Sequence, residues 1–215
     1  MDRINKLCAY LDSCDSFADI GCDHGYCTLY MLKNNVCKSA VVSDISEKCL
    51  DKARKLLSCY ISQNRVKAVC CDGLSGIDES VGQVLIAGMG GEEIVNILKN
   101  SFIPKTFVFQ PMKNIRLVRE YLVSCGAEIT VDEYFESGGK FYSVIKGKRE
   151  GQATTYSEAM LEFGINLSCE GTRGYISQEL GKKRGYLERK LGEKAREDIL
   201  RHIKFMEEVL TSENK

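Results

Sequence analysis

The sequence predicts an α/β protein built on one mostly parallel sheet that closes with an antiparallel pair. Three observations predict it. Runs of strand-forming residues alternate five times with amphipathic helical stripes. Two glycine-rich strings, Asp19-Ile20-Gly21-Cys22-Asp23-His24-Gly25-Tyr26 and Ala87-Gly88-Met89-Gly90-Gly91, each begin where such a strand stops. Near residue 138 the alternation gives way to two strand-like runs joined by Ser137-Gly138-Gly139, a hairpin signal.

Each element has its own warrant. Ile4, Leu7, Cys8 and Leu11 recur at helical spacing, which predicts a short helix over residues 2–13. Residues 16–20 form the first strand and residues 25–33 a helix, and Ala40-Val41-Val42-Ser43-Asp44 is a second strand ended by an aspartate. Ser46 then starts a helix whose stripe is Cys49, Leu50, Ala53, Leu56 and Leu57. Residues 66–70, 84–87 and 106–110 are the next three strands, with helices through Ile94, Val95 and Leu98 and around residues 117–122. Residues 127–135 and 140–145 form the closing pair. Residues 147–154 read as a linker, which divides the chain into residues 1–150 and a helical segment, residues 151–215. In that segment Ile176, Leu180, Leu187, Leu191, Ala195, Ile199, Ile203, Met206 and Leu210 describe a long coiled-coil-like helix. A break is expected near Gly181 and Gly185, with a helical hairpin to residues 156–167.

Bulk composition narrows the partners. Thirty basic and thirty acidic residues give no net charge, so an RNA partner needs a local basic face. The eleven cysteines include no C-x-x-C pair and read as reduced thiols, which fits a cytoplasmic protein. No signal peptide, membrane span or metal site is expected: adjacent Cys70 and Cys71 point to opposite faces of a strand and make a poor zinc site with His24.

The first loop lacks the G-x-G-x-x-G of a nicotinamide site, and a carboxylate beside a pyrophosphate is electrostatically unfavourable. S-adenosyl-L-methionine carries a sulfonium and an ammonium but no phosphate, so Asp19 and Asp23 beside Gly21 favour it. Asp44 is placed to accept the ribose hydroxyls and Asp72 the adenine amino group, although an aspartate at a strand end also serves as a turn or helix-cap residue.

The antiparallel last pair resembles the seven-stranded Rossmann-like sheet of class I methyltransferases. More specifically, the strings at residues 18–26, Ser43-Asp44-Ile45, Cys71-Asp72-Gly73-Leu74, residues 86–91 and Gln110-Pro111 resemble those of the bacterial tRNA adenine-N1 methyltransferases that modify adenine-22. The resemblance extends to residues 132–142 and the C-terminal helices. The Ile-Ala-Gly-Met-Gly-Gly string stands where amino-group adenine methyltransferases carry D/N-P-P-Y/F. It implies a cofactor site of Asp19, Gly21, Asp23, Asp44, Ile45, Asp72, Gly73, Ala87, Gly88, Met89 and Gly90. Catalytic work would fall to Asp23, His24 and Tyr26, and Gly91, Gln110 and Pro111 would border a flipped adenine. Lys182, Lys183, Arg184, Arg189 and Lys190 would meet tRNA phosphates, although interleaved acids also fit a solvated helix face. The expected protein is a monomer or weak homodimer. Methylation of another RNA base, or cofactor and RNA binding without catalysis, are the alternatives.

Overall fold

A computed structural model describes residues 3–189 and 191–212. The elements in chain order are α1 (Arg3–Cys8), β1 (Cys14–Ile20), α2 (Tyr26–Lys33), β2 (Cys37–Asp44), α3 (Glu47–Leu56), α4 (Ser58–Ser62), β3 (Val66–Cys70) and β4 (Gln83–Ala87). They continue with α5 (Gly91–Lys99), β5 (Thr106–Gln110), α6 (Ile115–Ser124), β6 (Glu128–Ser137), β7 (Lys140–Lys148), α7 (Glu158–Phe163), α8 (Glu170–Leu187) and α9 (Glu193–Ser212). One seven-stranded sheet runs in the order β3-β2-β1-β4-β5-β7-β6. The first five strands of that order are parallel, and β7 is antiparallel to both neighbours.

Period-two alternation gives the sheet two apolar faces. Phe17, Val42, Leu85 and Val108 pack with α1, α2 and α3, whereas Ala18, Ile20, Val84, Ile86, Phe107 and Phe109 pack with α5 and α6. Ile20 lies level with Ser43 of β2 and Ile86 of β4, and Ala87 with Gln110 of β5. The two glycine strings and Asp44 therefore leave the sheet at one edge, with the strand order reversing between β1 and β4.

Several helices differ from the sequence reading, among them α4, which it does not anticipate. The first helix ends at Cys8 because the chain must turn into β1: the Asp12 N–H donates to Gln83 Oε1 at 3.1 Å. Gly181 and Gly185 lie inside α8, and the chain breaks instead between Leu187 and Glu193. The helical hairpin is accordingly α8 with α9, closed by Ile176, Leu180, Ile203, Met206 and Val209. Glycine lowers helix propensity by only about 1 kcal/mol, which the buried stripe of α8 outweighs.

The segment after residue 150 is bonded back to the sheet. Arg119 of α6 and Asp132 of β6, both without solvent exposure, form a bidentate pair at 2.8 and 2.9 Å. Arg119 also donates to the Leu161 and Glu162 carbonyls, and the Tyr156 hydroxyl donates to Asp132 at 2.7 Å. The Asp132 N–H donates to Asn166 Oδ1 at 3.0 Å, and α8 stacks Tyr175 on Tyr134 at 3.9 Å. Burial pushes the Asp132 carboxyl above its ordinary range, against the pull of Arg119.

Candidate functional site

The cleft at the β1–β4 reversal is built by loop geometry. Gly21 (φ 66°), Asp23 (φ 45°) and Gly25 (φ 75°) put three left-handed residues in the five after β1, which turns the chain sharply before α2. A side chain at Gly21 would collide with the Met89 methyl, so the two glycine strings touch there. The Gly88 N–H donates to the Gln110 carbonyl at 3.1 Å and the Met112 N–H to the Met89 carbonyl at 2.8 Å. Gly91 sits against the Asn114 carbonyl, leaving no room for a Cβ. The loops after β4 and β5 are thus one stitched unit.

Between these loops lies a cavity of about 420 Å³, lined among others by Arg3, Asp19, Gly21, Asp23, His24, Tyr26, Ala87 and Gly88. Asp19 is buried and accepts from Thr28 Oγ1 at 2.9 Å. Desolvation pushes its carboxyl up to about 6, against the lowering effect of the Thr28 hydrogen bonds. Asp44 braces the first loop: Oδ2 accepts from the Asp23 N–H at 3.2 Å and Oδ1 from the Ser46 N–H at 2.8 Å. Each oxygen retains a lone pair for a further donor.

Asp23 projects from its left-handed position into solvent, with the Lys52 ammonium 2.7 Å from one carboxylate oxygen and His24 Nε2 3.7 Å from the other. Lys52 is the main reason its carboxyl is held below the usual range. His24 and Tyr26 stack, with ring centroids 5.3 Å apart and planes 15° from parallel. Half of Tyr26 is exposed, so the pair forms an aromatic step at the mouth of the cavity.

The structure does not gather every residue singled out from the sequence. Ile45 is exposed beside Asp44, and Asp72 is exposed at the loop after β3, but none of the three lines the cavity, which Asp44 reaches only through its hydrogen bond to the Asp23 N–H. Gly73 (φ 54°) packs against Ile97 of α5. Met89, Gly90 and Gly91 form the wall between the loops, and a Gly90 side chain would meet Lys113. Gln110 is buried and Pro111 accepts from the Ser143 hydroxyl at 2.8 Å. On α8, Lys182 pairs with Glu179 at 2.7 Å and Arg184 with Glu207 at 2.6 Å. Lys183 carries the remaining charge of that triplet, and Arg189 lies over the Tyr186 ring at 5.0 Å. Lys190 lies outside the described residues.

Sequence reasoning missed Arg3. Its guanidinium donates to Gln110 Oε1 at 3.0 Å, lies over the Tyr142 ring at 5.6 Å, and comes within 3.8 Å of where a Gly88 side chain would begin. An arginine in the first helix gives no signal of this, since its hydrogen-bond and ring partners, Gln110 and Tyr142, lie more than 100 residues away. Lys52, on α3, was missed because nothing in its helix marks Asp23, 29 residues earlier, as its partner.

Residues 1–145 match the methyltransferase-domain family. The chain belongs to that family. Among curated methyltransferases, a candidate tRNA methyltransferase of Mycoplasma pneumoniae is 34% identical over 155 residues, 71% of this chain and 72% of that protein. The tRNA (adenine(22)-N(1))-methyltransferase of Bacillus subtilis is 25% identical over 168 residues, 76% of this chain and 71% of that enzyme. Among solved structures, M. capricolum TrmK in complex with S-adenosylhomocysteine superposes with a TM-score of 0.85 at 21% identity, covering 97% of this chain and 96% of that one. The likeness to that methyltransferase includes the C-terminal helices, so the α8–α9 hairpin is part of a shared fold.

Proposed function

We propose that this methyltransferase transfers the methyl group of S-adenosyl-L-methionine to N1 of adenine-22 in tRNA, in the cytoplasm. The cavity at the β1–β4 reversal carries the reading: carboxylates on one side, a side-chain-free glycine on the other, and an aromatic step at its mouth. The curated relatives support the tRNA substrate and the B. subtilis enzyme the position.

The residues fit the cofactor by their chemistry. Asp44 offers acceptors to ribose hydroxyls, and Asp19, buried with one hydroxyl partner, offers an anion to an ammonium group. Arg3 offers a cation to a carboxylate, and Gly88 (φ 84°) lets the ligand approach the backbone. Ile45 and Asp72, exposed at the ends of β2 and β3 beside the cavity, would hold the adenine moiety, with Gly73 (φ 54°) shaping the turn. When bound, S-adenosylmethionine supplies an electrophilic methyl group on a sulfonium sulfur.

Adenine N1 already has an in-plane lone pair, so attack needs position rather than prior deprotonation. Asp23 is poorly suited to taking a proton, because Lys52 keeps it ionised well below neutrality. Its role is electrostatic: a fixed negative charge beside the base as the ring becomes cationic. His24 and Tyr26 hold the base by stacking, and Gly91, Gln110 and Pro111 shape the wall behind it. Among the described residues, Lys183 and Arg189 are the tail cations left to meet phosphate, since Lys182 and Arg184 already have carboxylate partners.

Incubation with methyl-labelled S-adenosylmethionine and unmodified tRNA transcript tests the proposal. Label in adenine is expected, and cofactor binding without any transfer to adenine would overturn it.

A further inference from the structure

A second cavity, of about 300 Å³, lies on the other side of Gln110 from the cofactor cleft. Its walls come mainly from the end of β5 and the loop after it (Gln110 and Met112), from β7 (Phe141 and Tyr142) and from α8 (Tyr175 and Gln178), with Tyr134 of β6 and Ile115 of α6 completing them. At the lower end of the range for small-molecule sites, roughly 300–1,000 Å³, it is too small for another cofactor and the right size for one nucleobase with part of its sugar.

We infer that this cavity takes a nucleotide flanking the target adenine in the tRNA, and so helps to hold the target base in the neighbouring cleft. The inference rests on the tRNA-methylation reading above. Its chemistry matches a base in three respects. Phe141, Tyr142 and Tyr175 are each partly exposed, offering aromatic surface for stacking. Gln178 is exposed on the helix that forms one wall, and its amide can both donate to and accept from a base edge. Lys140, exposed at the rim, supplies a cation for an adjoining phosphate, and Lys182, paired with Glu179 at 2.7 Å, neutralises the carboxylate that also lines the cavity.

Continuity with the cleft decides between a flanking nucleotide and an unrelated ligand. Arg3 lines the cofactor cleft, donates to Gln110 Oε1 at 3.0 Å and lies over Tyr142. Gln110 and Tyr142 both line the second cavity, so one arginine is the partition between the two. A strand whose target base is turned into the first cavity must place a neighbouring nucleotide within one step of the partition. The position of α8 is set by Gly171, which packs on the Tyr134 carbonyl, and by Gly174, which packs on the Phe141 ring. Larger residues there would lift the helix and open the wall.

The test couples protein and RNA changes. Gln178→Ala and Phe141→Leu, the second keeping apolar volume while losing the ring, are assayed on full-length tRNA transcript and on transcripts with an abasic site on either side of the target. On parent tRNA each variant is expected to lose about tenfold in kcat/KM, the scale of one lost stacking or hydrogen-bonding contact, with cofactor affinity unchanged. On one abasic tRNA the variants and the unaltered protein should converge. Equal penalties on all three RNAs, or no penalty on the parent, would overturn the inference. If the unaltered protein methylates no tRNA, the proposed function fails first, which a parent-substrate control shows directly.

Discussion

At the scale of single residues, the cleft depends on carboxylates whose surroundings differ. Asp44 is bonded to two backbone N–H groups, so Asp44→Ala should weaken S-adenosylmethionine binding by about 1–3 kcal/mol, the cost of a lost acceptor in a partly buried site, and calorimetric titration reads it. An unchanged dissociation constant would leave Asp44 only its bracing of the first loop. Asp19 predicts a pH dependence. Its carboxyl is raised to about 6 from 3.8, so the folded protein binds the extra proton between those values and loses stability as pH rises through them. A cationic ligand favours the ionised form, so cofactor affinity should fall by up to about tenfold per pH unit below about 6, and Asp19→Asn should flatten the profile. Asp23 is exposed and already paired with Lys52, so Asp23→Asn should leave stability nearly unaltered and reduce kcat with little change in KM for tRNA. A near-normal kcat would move the electrostatic role to His24 or the backbone. The position of the aspartates and glycines of these loops was legible because each closes a strand, and parallel strands end together at one side of the sheet. Arg3 and Lys52 were not, because only folding brings them to the cleft.

At the scale of elements, strand and helix positions followed from periodicity, since both faces of β1, β4 and β5 are buried by packed helices. The turn between α8 and α9 was not legible from Gly181 and Gly185. Where a buried stripe continues across a glycine, packing against the partner helix decides, and the sequence does not say which helix that is. The region after β7 shows the same dependence. Residues 147–154 read as a linker, yet Gly147 and Lys148 belong to β7 and Thr154 Oγ1 accepts from the Ile129 N–H at 2.7 Å. Beyond them Tyr156, Leu161, Glu162 and Asn166 all bond to the Arg119–Asp132 pair or its strand. Ending the chain after Gly151 would strip partners from a fully buried ion pair, and should lower the thermal midpoint substantially. Tyr156→Phe in the full chain should cost about 1–3 kcal/mol through the lost hydrogen bond to a charged group, read by denaturant unfolding. An unaltered midpoint in the shortened chain would show that residues 1–151 fold independently.

At the scale of the whole molecule, the sheet order places the cofactor cleft, its aromatic step and the second cavity along one edge, with α8 forming a wall of the last. The C-terminal hairpin is attached along β6, the last strand of the sheet, through Gly171, Thr172 and Tyr175 against Tyr134, with α8 reaching the second cavity. Zero net charge does not prevent RNA binding there, because phosphate recognition needs only a few cations suitably placed. The proposed function predicts a specific product: a methyl group on N1 of one adenine, on the Watson–Crick edge, where it blocks base pairing. Reverse transcription of tRNA treated with the protein and S-adenosylmethionine tests this directly. The account predicts arrest of primer extension at adenine-22 that disappears when that adenine is replaced by guanine. Full-length extension through adenine-22 after treatment with protein shown to bind the cofactor would contradict it.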